Sequence, residues 1–249
     1  MFLRFADFLA RCVLLALAAT CAAFGATPAA RIISLAPNLT ELAFAAGAGE
    51  RIVGTVEYSD YPAQARTIPR IGDAFRVDYE RLLALRPDVV LAWEPGTPSG
   101  VIDRLQALHL SVQVIRTFRL ADISQGVREI GRIAGTDAVA ATVADAFERD
   151  IASLRRQYGG RASVSVFLQI NDRPLYTVNG RQIMSEVVEL CGGRNVFAEL
   201  SELAPQVGIE AVIAANPDVI IATGTAESTG LEQWRRWTHL RAVRSGNLY

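Results

Sequence analysis

Residues 121–158 read ADISQGVREIGRIAGTDAVAATVADAFERDIASLRRQY, and their periodicity decides the fold. Ile123, Val127, Ile130 and Ala134 recur at helical spacing. After Gly135-Thr136 the series resumes with Val139, Val143, Phe147, Ile151, Leu154 and Tyr158. Asp122 is placed to cap the first piece and Thr136 or Asp137 the second, and Gly159-Gly160 ends the run. The second piece, residues 138–158, is roughly 30 Å long at 1.5 Å per residue, about the width of a small domain. The expectation is a stiff rod that allows little closure.

What flanks the rod looks like one unit used twice. Before it, apolar runs at 31–35, 52–54, 89–93 and 111–115 read as buried strands. Helical segments at 40–46, 79–85 and 101–108 alternate with them, and Pro37-Asn38 reads as the turn after the first strand. Beyond the rod, strands at 163–169, 195–197 and 219–222 alternate with helices at 182–190, 209–215 and 231–237, and Asn247-Leu248-Tyr249 starts a further strand.

The repeat has a register. Glu80 stands seven residues before Pro87 and Glu210 seven before Pro217, in helices that lead into Pro-Asp-Val-Val-Leu-Ala and Pro-Asp-Val-Ile-Ile-Ala. Glu41 and Glu186 each precede a helix-ending glycine, Gly47 and Gly192, by six residues. Alternating strands and helices give small α/β units with mostly parallel sheets. The fold class is therefore α/β and bilobed. A leader at 1–26 is followed by a first lobe at 31–118, an interlobe backbone helix at 119–160, and a second lobe at 161–249. Measured against the first, the second lobe lacks a final strand and helix. Ligands in such layouts sit between lobes, beside the loops after strand C-termini.

Composition narrows the function. The 249 residues carry 25 basic and 26 acidic side chains, a formal net charge of -1, which argues against a nucleic-acid binder. Every basic residue is arginine, so no P-loop lysine and no Schiff-base lysine exists. Arg4 and Arg11 flank an apolar, small-residue run at 12–26, about 15 residues and short of the roughly 20 that span a bilayer. It reads as a cleaved secretory signal. Thr20 before Cys21 is a poor fit to a lipid-modification site. With Cys12 and Cys21 removed, Cys191 alone remains, and Leu190-Cys-Gly-Gly193 reads as a buried small hydrophobe at a helix end.

No catalytic or metal constellation is encoded. His109 and His239 each follow a helix and read as helix-end surface residues, and no HExxH, CxxC or Gly-x-Ser-x-Gly occurs. The positive signals are aromatic. Tyr58, Tyr61, Phe75, Trp93 and Tyr176 all fall on loops or strand ends expected to face an interlobe cleft, where flat side chains suit a large, rigid, partly apolar ligand. Trp234 and Trp237 read as packing residues of the last helix. Glu80 and Glu210 sit in first turns, where the helix dipole favours an acid. Their shared repeat position suits docking onto a two-fold partner that presents arginines.

The stretches Ser34-Leu-Ala-Pro-Asn-Leu-Thr-Glu-Leu-Ala-Phe-Ala-Ala-Gly47, Tyr58-Ser-Asp-Tyr-Pro62, Leu83-Ala-Leu-Arg-Pro-Asp88 and Leu190-Cys-Gly-Gly-Arg-Asn-Val-Phe197 carry a resemblance. From Arg31 onward the chain resembles the periplasmic cobalamin-binding proteins of ABC importers, within the helical-backbone family that also holds haem and ferric-siderophore binders. The resemblance implies two α/β lobes on one long helix, a corrinoid in the cleft, and a glutamate from each lobe against permease arginines, here Glu80 and Glu210. It places Tyr58, Trp93, Tyr176 and Phe75 against the ligand, with Pro37 and Asn38 in the loop beside it. Ala204 stands where such proteins can have tryptophan. No catalytic residue, cofactor or protein ligand to cobalt is implied, and the expected form is a periplasmic monomer.

The rival within the fold is haem, with Tyr58 or Tyr61 as axial ligand, or a siderophore, which wants a cleft arginine cluster. The rival outside it is an α/β enzyme using Asp60 or Asp73.

Overall fold

The computed structural model describes residues 28–73, 76–224 and 230–249. The leader, Cys12, Cys21 and Phe75 lie outside the described residues.

The first lobe is built on a four-stranded parallel sheet of β1 (Ile32–Ser34), β2 (Ile52–Gly54), β3 (Val89–Glu94) and β4 (Val112–Arg116), in the order β2-β1-β3-β4. The inner strands β1 and β3 are near-continuous apolar runs because both faces are covered, whereas the edge strand β4 carries Gln113 and Arg116. Ile32 and Leu91 face α1 (Pro37–Ala45) and the interlobe helices. Ile33, Val90 and Ala92 face the side that holds Leu82 of α2 (Tyr79–Ala84) and Leu105 of α3 (Ser99–Ala107).

The expected rod is two helices, α4 (Leu120–Ala134) and α5 (Asp137–Tyr158), folded back on each other. Gly135, at φ +67°, supplies the left-handed residue that reverses the chain. Arg128 of α4 reaches Asp145 and Glu148 of α5 at 2.7 and 3.1 Å, an antiparallel pairing. The capping expectations also change. Asp122 caps α4 from inside its first turn, accepting from the N–H groups of Phe118 and Arg119 at 2.8 Å each. Thr136 does not cap α5; its hydroxyl donates to the carbonyl of Ala46 at 2.6 Å and ties the start of α5 to the first lobe. The far end of α5 meets the second lobe where Tyr158 lies against Gly192, so this 22-residue helix is the interlobe span.

The stripe expected on α5 is only half-buried, and Val139 is 49% exposed. Its buried residues are Ala140 and Ala144, because close approach of α4 admits only small side chains.

The second lobe repeats the plan with β5 (Val164–Gln169), a small hairpin of β6 (Asn171–Asp172) and β7 (Leu175–Tyr176), α6 (Ile183–Leu190), β8 (Gly193–Asn195), α7 (Ile209–Ala215) and β9 (Val219–Ala222). Its parallel sheet runs β8-β5-β9, and Asn247–Tyr249 add backbone bonds along β9, where β4 lies beside β3 in the first lobe. Two short helices, α8 (Glu232–Arg235) and α9 (Arg241–Arg244), cover this sheet. The fully buried Trp234 packs edge-on to Phe167, as a packing residue should.

The repeated Pro-Asp has a physical cause. Asp88 accepts from the N–H groups of Ala30 and Arg31 at 2.8 Å, stapling β3 to the start of β1. Asp218 does the same for β9 and β5 through the N–H and hydroxyl of Ser165, at 3.0 and 2.6 Å. Before each Pro-Asp a left-handed residue, Arg86 or Asn216, stops the preceding helix. In each lobe an arginine fork, from Arg31 or Arg241, holds carbonyls at that helix end.

Candidate functional site

The cleft grows from the C-terminal ends of the first sheet. β1 runs into α1, whose first residues are Pro37 and Asn38 and not a separate turn. Proline at the first helical position gives up an N–H that has no intrahelical partner there. β3 ends at Trp93-Glu94 and β4 at Arg116, just before Thr117 and Phe118. These ends, with Ile123 of α4 and Gln182, Ile183 and Leu203 of the second lobe, enclose a cavity of about 620 Å3. Leu42, Pro95 and Glu41 complete a lining that is mostly apolar.

Trp93 is held from two sides. Its indole N–H donates to the hydroxyl of Thr117 at 2.5 Å, and its backbone N–H donates to the hydroxyl of Thr97 at 2.9 Å. Gly96 lies flat on the ring: a Cβ there would fall 2.1 Å from an indole carbon. The ring orientation is therefore set before any ligand arrives.

A buried hydroxyl cluster supports the first-lobe wall. Ser34, Thr40, Thr55 and Ser59 are at most 1% exposed and come from β1, α1, the end of β2 and the loop bearing Tyr58. Thr40 Oγ1 lies 2.9 Å from Ser34 Oγ and 2.7 Å from Thr55 Oγ1, and Thr55 donates to Ser59 at 2.8 Å. This joins the Ser-Leu-Ala-Pro-Asn-Leu-Thr and Tyr-Ser-Asp-Tyr-Pro stretches in one buried network. On the second-lobe side, Asn195 donates to the carbonyl of Val178 and to Ser185 at 2.7 and 2.9 Å, fixing the start of α6.

Three of the expected ligand residues, Pro37, Asn38 and Trp93, meet in the cavity. Tyr58 and Tyr176 are not among its lining residues. Tyr58 is 82% exposed, in the left-handed region at φ 65°, and Tyr176 is half-buried in the β6–β7 hairpin beside Gln206. Tyr61 is 69% exposed. Phe118, Ile123, Gln182, Ile183 and Leu203 were missed. Nothing in their local sequence marks them; packing the second lobe against α4 brings them together.

Glu80 and Glu210 are both exposed, each the second residue of its helix, after Asp78 and Gly208 at the cap. Asp60 pairs with Arg70 at 3.2 Å, and Asp73 accepts from the N–H of Arg76 at 2.8 Å, so both serve loop structure. Cys191 is exposed, not buried, at the C-cap of α6. His109 and His239 are exposed at helix ends. Among the described residues no group of His, Cys, Asp or Glu could hold a metal ion, and no helix is long and apolar enough to cross a membrane.

The periplasmic binding protein family model matches residues 32–249. A vitamin B12-binding protein of Vibrio campbellii is 34% identical over 226 residues, covering 91% of this chain and 82% of that protein. The crystal structure of the periplasmic vitamin B12 binding protein BtuF of Vibrio cholerae superposes with a TM-score of 0.82 at 35% identity, covering 89% of this chain and 87% of that one. The periplasmic heme binding protein HutB of the same species, at 19% identity, 88% coverage of each chain and a TM-score of 0.76, shares the fold. A doubled α/β lobe, an interlobe helix and a cleft between the lobes are what the match spans: the chain belongs to the periplasmic binding protein family, whose members are carriers and not catalysts.

Proposed function

We propose that this protein captures cobalamin or a closely related corrinoid between its lobes and delivers it to an ABC importer. The observation that carries the reading is the preformed apolar cleft, walled by Pro37, Leu42, Trp93 and Phe118 on one side and Ile183 and Leu203 on the other. A corrin is a broad, largely apolar macrocycle rimmed by amides. Its face packs on Trp93, and its amides meet Asn38 and Gln182. The relatives named for vitamin B12, at 34 and 35% identity, support this ligand over haem. So does the position of Tyr58 and Tyr61, the candidate axial ligands, outside the cavity lining.

Residues 1–26 direct export to the periplasm and are removed there. Glu80 and Glu210, at matching positions in the two lobes, dock the loaded carrier onto arginines of the permease. The carrier acts as a monomer. Isothermal titration tests the ligand. Cyanocobalamin gives saturable heat at one site per chain and haemin gives none; the reverse result defeats the assignment.

A further inference from the structure

Glu186 stands on α6, one turn beyond the cleft-lining Ile183. Its Oε2 accepts from the backbone N–H of Leu120 at 2.8 Å, and its Oε1 accepts from Nη2 of Arg119 at 3.2 Å. Leu120 opens α4, and Phe118, two residues earlier, lines the cleft. The carboxylate therefore crosses from the second lobe to the end of the first. Its side chain is 15% exposed, against 70% for Arg119.

The N–H groups of Phe118 and Arg119 are already taken by Asp122. Glu186 takes the next one and adds a negative charge at the positive end of a 15-residue helix. Burial opposes ionisation of Glu186, but the Leu120 N–H and the Arg119 guanidinium outweigh it and hold the carboxyl below its ordinary range. The duplicated plan does not require this contact. Glu41, at the matching repeat position, instead lines the cleft.

We propose that Glu186 is a positioning residue for the ligand: it clasps α6 to the start of α4 and so sets the separation of the two cleft walls. The proposal rests on the corrinoid reading above. Gln182 and Ile183 approach from one side of the clasp, and Phe118, Thr117 and Trp93 from the other. Without it the walls lose their fixed spacing, and affinity falls by the fraction of molecules whose walls remain in register.

The test compares wild type, Glu186→Ala, Glu186→Gln and Arg119→Ala by cyanocobalamin titration and by small-angle X-ray scattering with and without ligand. Glu186→Ala is expected to bind about tenfold more weakly, with a larger radius of gyration when free that returns to the wild-type value when loaded. Glu186→Gln keeps an acceptor for Leu120 and is expected to lose about threefold, and Arg119→Ala, removing only an exposed partner, about twofold or less. A role in stability alone would lower the melting temperature of Glu186→Ala while leaving affinity and free-state scattering unchanged, and that outcome overturns the proposal. If Glu186→Ala does not fold, Glu186→Gln decides, and wild-type affinity and scattering in it overturn the clasp. Failure of the wild-type protein to bind cyanocobalamin would instead defeat the ligand assignment.

Discussion

Thr40 and Thr55 lie hydroxyl to hydroxyl at 2.7 Å, both fully buried. Their bond ties α1, which presents Pro37 and Asn38, to the strand end that leads into the Tyr58 loop. Thr40→Val leaves Ser34 and Thr55 without a shared partner in a fully buried site, which costs about 1–3 kcal/mol. Urea unfolding checks this: the midpoint falls with the slope unchanged, and Thr40→Ser recovers most of the loss.

Trp93 is held rigid in the cleft wall. Trp93→Ala is expected to weaken cyanocobalamin binding by about tenfold to a hundredfold, the usual scale for an aromatic residue that packs on a ligand. Gly96→Ala acts on the same ring from behind. Its methyl group cannot share space with the indole, so binding weakens although Trp93 is intact. Titration of both variants checks the pair; unchanged affinity in both would remove Trp93 from the site.

Gly131 and Ala140 set the spacing of the helical hairpin. A Cβ at Gly131 would lie 2.3 Å from that of Ala140, two rigid atoms that cannot both fit. Gly131→Val should cost about 3 kcal/mol, and Ala140→Gly in the same chain should restore part of it, giving coupling in a double-mutant cycle of thermal unfolding.

Asp218 makes acid stability predictable in sign. Its bonds to the hydroxyl and N–H of Ser165, helped by Arg241, hold its carboxyl below the ordinary aspartate range. A depressed folded value means that the stabilisation is complete above the unfolded value, about 3.9, and is lost as pH falls through the folded one. Glu186 contributes with the same sign. Asp218→Asn should flatten the loss of stability between about pH 5 and 2 in pH-dependent urea titrations.

Glu80 and Glu210 are tested together. Reversing both to arginine should abolish ligand-dependent uptake in whole cells while the purified carrier keeps its affinity for cyanocobalamin. Lost affinity with intact transporter association would assign these acids another task.

The duplicated plan was legible because strand–helix alternation and the Pro-Asp register are local patterns. Asp88 and Asp218 bond at 2.6–3.0 Å in equivalent places, so the repeat in the chain is a repeat of the same staple. The hairpin of α4 and α5 was not legible as such. Periodicity reports which face of a helix is apolar and is blind to the direction of the next helix, which Gly135 and the Gly131–Ala140 contact decide. Cys191 misled for a related reason: an apolar neighbourhood in the chain does not show on which side of a cap a side chain falls.

By itself the sequence determined the two α/β lobes, the helical span between them and Trp93 at a strand end, because each follows from short-range spacing or position; Pro37 and Asn38 were expected beside the ligand through the family resemblance. Tertiary structure decided the rest of the wall. Phe118, Ile123, Gln182, Ile183 and Leu203 become neighbours only when one lobe packs against the other, and no local pattern encodes the distance across a gap between two separate sheets.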